Sequence, residues 1–204
     1  MQEQERHPVE WTVPPLRSGI RGAIDRFIGP GATPAEQWLQ FAPAFAAALL
    51  APIYAISMGH EWGLFLIVLS AIFAIDLVGG VITNATSAAK RWYHRAEQGK
   101  WAHLQFVALH VVHVLLVAWF FREADWIYFA VVSSFLLIAA WIILSAPLYL
   151  QRPVAFMLFD VGLLIGMYGF APTPGLEWFL PFFFLKVLVS HLVQEAPYQP
   201  AATV

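Results

Sequence analysis

Six stretches of the chain are predominantly apolar over long runs: about 36–58, 62–84, 102–121, 126–148, 154–171 and 176–195. A helix needs roughly 20 such residues to cross the hydrocarbon core of a bilayer. The pattern therefore predicts an all-α, polytopic membrane protein with six transmembrane helices. Local punctuation marks several helix ends. Thr33-Pro34-Ala35-Glu36 reads as an N-cap, a proline at the first helical position and a capping-box glutamate. Gly59 suits the end of the first span, Asp125 the N-cap of the fourth, and Gly99 a break between the second and third. Pro43, Pro52 and Pro147 are placed to kink the first and fourth spans.

Upstream of the first span, Leu16, Ile20, Ile24 and Phe27 recur at helical spacing, with Arg17, Arg21 and Asp25 on another face. This predicts a short interfacial helix over 16–28. Residues 88–98 are polar but carry no breaker, so the second helix is expected to project beyond the bilayer and turn at Gly99. The organisation is then a cytoplasmic N-terminal segment (1–35), a six-helix membrane domain (36–195) and a cytoplasmic tail (196–204). The first segment lacks the apolar core of a secretory signal.

Composition sharpens the class. The 204 residues are 60% hydrophobic and 12% charged, where soluble domains carry about 25% charge. A net charge of −2 leaves no basic footprint for nucleic acid, and the absence of cysteine removes disulfides and thiolate metal sites. With the N-terminus inside, the inner segments hold nine Lys and Arg and the outer loops only Arg122. The positive-inside rule places both termini in the cytoplasm, and a bacterial inner membrane is the expected setting.

Ionisable residues within a span are costly and are functional candidates by default. Here they are Asp76, His110, His113, Asp160, Lys186 and His191, with His103 at the inner mouth of the third span. Counted from the inner boundaries, Asp76, His110, Asp160 and Lys186 fall in one layer roughly 9–13 Å deep. His103, His110 and His113 form one stripe, and Asp76, Gly80, Thr83 and Ser87 share a face of the second span. Asp76, His110 and His113 are expected to line a cavity open toward the cytoplasm, with Thr83, Asn84, Ser87 and His103 at its mouth. Lys186 is expected to pair with Asp160 across consecutive spans. In ideal α geometry Lys186 and His191 point about 140° apart, which assigns His191 to Glu195 instead. Gly162 and Gly166 form a close-packing motif that leaves Asp160 facing elsewhere.

Three functions fit these residues. The first is a membrane-embedded enzyme acting on a lipid or other membrane-dissolved substrate. Asp76, His110 and Lys186 would be its catalytic groups, and His110, His113, Asp76 and Asp160 could hold zinc or iron. Lys186 would stabilise developing negative charge. Haem held by imidazoles of the third and sixth spans is the alternative cofactor. The second is a small proton- or ion-coupled transporter built on the same groups, which would need a homodimer to enclose a path. The third is an accessory subunit whose buried charges only neutralise one another. No Gly-x-Ser-Gly protease motif, histidine-box set or paired-glutamate motif is present to choose between them.

Overall fold

A computed structural model describes residues 8–198. The described chain is helical: α1 (Gly19–Ile28), α2 (Pro34–Ser57), α3 (Leu64–Ala85), α4 (Ser87–Tyr93), α5 (Lys100–Phe120), α6 (Trp126–Ser145), α7 (Leu148–Gly169) and α8 (Phe179–Phe184), which runs on as a π-helical segment over Leu185–His191. The one bridge of strand type among these residues joins Val9 to Tyr198.

Five helices (α2, α3, α5, α6 and α7) are long and apolar enough to cross a membrane. At 22 residues, α3 is roughly 33 Å long, matching a ~30 Å core. Their ends follow the sequence punctuation. Thr33 and Glu36 form the capping box, with Thr33 Oγ1 accepting the Glu36 N–H at 3.2 Å and Glu36 Oε2 accepting the Thr33 N–H at 2.8 Å. Asp125 caps α6 by accepting the Tyr128 N–H at 2.9 Å. Gly99 precedes α5, and Gly59 follows α2 with a φ of 80°.

The sixth apolar run differs from expectation. Its helical part, Phe179–His191, has 13 residues, too few to cross alone. Pro172, Pro174 and Gly175 keep the preceding stretch non-helical. The segment occupies the middle of the bundle, packed against α3, α6 and α7, with Phe183, Val187, Leu188 and Leu192 fully buried. Its leading end lies by Gly175, which sits against Trp62 and His60, and its trailing end lies by Lys90 of α4. Irregular backbone at this depth is tolerated because protein surrounds it.

Two other expectations change in detail. The second apolar helix does not project as one rod. It stops at Ala85, and Thr86 turns the chain (ψ 150°) and caps the separate α4 by accepting the Ala89 N–H. Glu36 assists by accepting the Ala88 N–H at 3.1 Å, which ties the start of α2 to the start of α4. Pro147 does not kink α6 but stands at the sharp break before α7, while Pro43 and Pro52 lie inside α2. The amphipathic α1 turns Ile20, Ile24 and Phe27 outward. Its Asp25 is buried and paired with Arg17 at 2.5 Å, which holds the carboxyl below its usual range.

Candidate functional site

On α3, Asp76, Gly80 and Asn84 recur one turn apart and present a single face. The π segment lies along that face. Asp76 Oδ2 accepts a hydrogen bond from Lys186 Nζ at 2.6 Å and another from His113 Nε2 at 3.0 Å. Gly80 makes the first contact possible. A Cβ there would stand 2.4 Å from Lys186 Cε and 2.7 Å from Cδ, so the lysine stem crosses α3 where no side chain exists. Gly80→Ala is accordingly expected to push Lys186 off Asp76 and to destabilise the protein by about 1–3 kcal/mol, as overpacking does. Thermal unfolding should show that loss, and Lys186→Ala in the same chain should relieve most of it.

The carboxylate only accepts, so His113 carries its proton on Nε2. Its Nδ1 is buried without a partner. His110 lies one turn earlier on α5. Its Nδ1 donates to the Phe106 carbonyl at 2.7 Å, and its ring stacks on His113 with centroids 5.1 Å apart and planes 6° from parallel.

A second polar cluster fills the α4 end. His103 Nδ1 lies 3.1 Å from His191 Nε2, His191 Nδ1 lies 3.1 Å from Asn84 Oδ1, and Asn84 Nδ2 donates to the Gly80 carbonyl at 2.8 Å. The last bond fixes the direction of the rest. Asn84 Oδ1 must accept, so His191 donates from Nδ1, and its bare Nε2 accepts from His103. His94 bonds the His191 carbonyl at 3.0 Å through Nε2 and stacks on His103 at 4.7 Å. Phe106 joins the two clusters, stacked on His191 at 3.7 Å and 4.2 Å from His110.

α4 holds this end together. Lys90 Nζ donates to the Ser190 carbonyl at 2.7 Å and the Val193 carbonyl at 2.5 Å, which satisfies the free carbonyls where the π segment ends. Burial pushes the Lys90 ammonium down to about 8, opposed by Glu195 at 3.7 Å. Burial, with His103 and Lys90 nearby, pushes the His94 imidazole down to about 3. Glu195, expected to pair with His191, instead binds Arg152 and Lys90.

Two expectations about Lys186 are corrected. Its carboxylate partner is Asp76, not Asp160. Gly162 and Gly166 of α7 take Phe184 and Leu180 against them, and this turns Asp160 to the outside of the bundle. Lys186 and His191 also do share a face. The π register bonds residue i to i+5, and these residues are five apart, so both meet α3.

The metal readings find little geometric support. Asp160 lies apart from the other three expected ligands, and among the described residues no group of three or more His, Cys, Asp or Glu is arranged to hold a metal ion. His103 of α5 and His191 of the π segment bond directly to each other, with no gap between this pair for a macrocycle.

Beyond Asp76, away from α4, the surroundings become aromatic. Phe73 lies 5.5 Å from His113 and 5.4 Å from Phe179, and Trp62 packs edge-on against Phe121 at 5.1 Å. The site is thus polar toward one end of the bundle and closed by rings toward the other. Comparison with protein-family models, curated proteins and solved structures finds no match to this chain.

Proposed function

We propose that this membrane protein carries out acid–base chemistry on a membrane-dissolved substrate, at a centre made by Asp76, His113 and Lys186. The observation that carries the reading is the unpartnered Nδ1 of His113, held by Asp76 in the one tautomer that leaves this nitrogen free to take a proton. Asp76 orients the ring, and Lys186 stands ready to stabilise negative charge that develops beside it. The α4 end, where His103 bonds His191 and His191 bonds Asn84 beside Gly80, is the polar side from which the centre would be served. The bias of Lys and Arg toward that end supports a cytoplasmic placement. If the central α8–π segment counts as a sixth crossing, both termini lie on that same side.

A transporter built on the same groups would need access from both ends. The ring closure at Phe73, Phe179 and Trp62 favours a site served from one.

Infrared spectroscopy after a pH jump, on protein in nanodiscs, tests this reading. The carboxylate stretch of Asp76 should shift with the jump, as the hydrogen bonding around it changes, and should vanish in Asp76→Asn. In His103→Leu the response should slow several-fold. An Asp76 band that ignores the jump, or a rate indifferent to His103, would contradict the proposal.

A further inference from the structure

Beside the centre, between α2, α3 and the end of α1, lies a cavity of about 240 Å³. Its polar lining is Gln40, Asp76 and Thr83, and its aromatic lining is Phe27, Phe41 and Phe45. Gln40 is 1% exposed, and both its amide nitrogen and its amide oxygen lack any partner. A buried amide left unpaired in this way costs on the order of 1–3 kcal/mol. It is therefore a group whose partner enters from elsewhere. Asp76 offers a complementary atom. Its Oδ2 holds both Lys186 and His113, which leaves Oδ1 as an acceptor with no hydrogen bond in the protein.

We infer that this cavity binds a small, neutral, hydroxyl-bearing aromatic molecule dissolved in the membrane, of the phenol class. The inference rests on the proposed acid–base centre and names its substrate class. Each part of the chemistry follows from the lining. The Asp76 charge is already matched by Lys186, so a cation is not called for and an anion would be repelled. The free Oδ1 needs a donor and the Gln40 amide nitrogen needs an acceptor, which one hydroxyl group supplies together. Phe41 and Phe45 stack with planes 26° apart, a wall suited to a flat ring. The volume fits one substituted ring, given that a cavity of roughly 150 Å³ holds benzene. Phe27 belongs to the outward-facing side of α1 and is 57% exposed, so the mouth opens at the level where amphiphilic molecules gather. The hydroxyl of a ring bound on Asp76 Oδ1 would lie next to the groups that exchange protons.

The test is fluorine NMR of para-fluorophenol and of para-fluoroanisole, which differs by a methyl on the oxygen, with protein-free nanodiscs as the partition control. The full-length protein should bind the phenol about ten-fold more tightly than the ether, the worth of one hydrogen bond to a charged acceptor. Gln40→Met keeps the side-chain length but removes the amide, and should lose most of the phenol affinity. Equal binding of phenol and ether, or full phenol affinity in Gln40→Met, overturns the cavity assignment while the Asp76 response persists. Loss of that response in the unmodified protein would instead overturn the acid–base reading beneath it.

Discussion

Replacing Asp76 with leucine is expected to destabilise the protein by about 3–5 kcal/mol, the usual consequence of stranding one member of a buried ion pair. The stranded group is Lys186, whose side chain is only 4% exposed. His113 loses its acceptor in the same step. The reverse change should be milder. In Lys186→Met the carboxylate keeps the His113 bond, so it is not left alone. The double variant should fall well short of the sum of the singles, because neither charge is left behind. Unfolding of the four proteins in mixed detergent measures this cycle. Additive losses would mean that Asp76 and Lys186 act independently.

Acidification should unfold the α4 end first. The His94 imidazole is neutral in the fold because burial holds it near 3 rather than 6.5. Its contribution is fully present above pH 6.5 and is lost as the pH falls toward 3. Between those limits the unfolded chain takes up the proton and the folded one does not. Stability should then fall by about 1.4 kcal/mol per pH unit for this one group. His94→Gln can still donate to the His191 carbonyl but does not titrate, so its stability should fall less steeply over pH 6 to 4, a range set by roughly one proton. Equal slopes in the two proteins would show that His94 is not held neutral. Hydrogen exchange would place the opening at α4 and the π segment, which Lys90 joins through the Ser190 and Val193 carbonyls.

The membrane class and the five long helices were legible in the sequence, because lipid demands long apolar runs and bounds them with recognisable caps. Thr33, Gly99 and Asp125 did what their chemistry suggests. The sixth run was less legible. A central segment shielded by protein can be short and irregular and still read as apolar. The depth count correctly put Asp76 and Lys186 in one layer, but it could not choose between Asp76 and Asp160. That choice turns on Gly80, whose missing side chain admits the lysine stem, and on Gly162 and Gly166, which commit the opposite side of α7 to packing. The pairing of His191 with Asn84 and His103 was hidden for a different reason. Ideal α geometry set Lys186 and His191 on different faces, and no sequence signal marked the π register that reunites them. His94 and Lys90 lay in a stretch expected to project beyond the bilayer, where the break at Thr86 folds them inward.

The central claim is that His113 is fixed on Asp76 by donating from Nε2 to the carboxylate, within the membrane, while its Nδ1 has no partner in the protein. Nitrogen NMR of protein labelled at histidine, in bilayers at neutral pH, reports the protonation of each ring nitrogen directly. The account predicts a protonated Nε2 whose signal is lost in His113→Phe and altered in Asp76→Asn. A His113 ring with an unprotonated Nε2, the tautomer that cannot donate to Asp76, would contradict it.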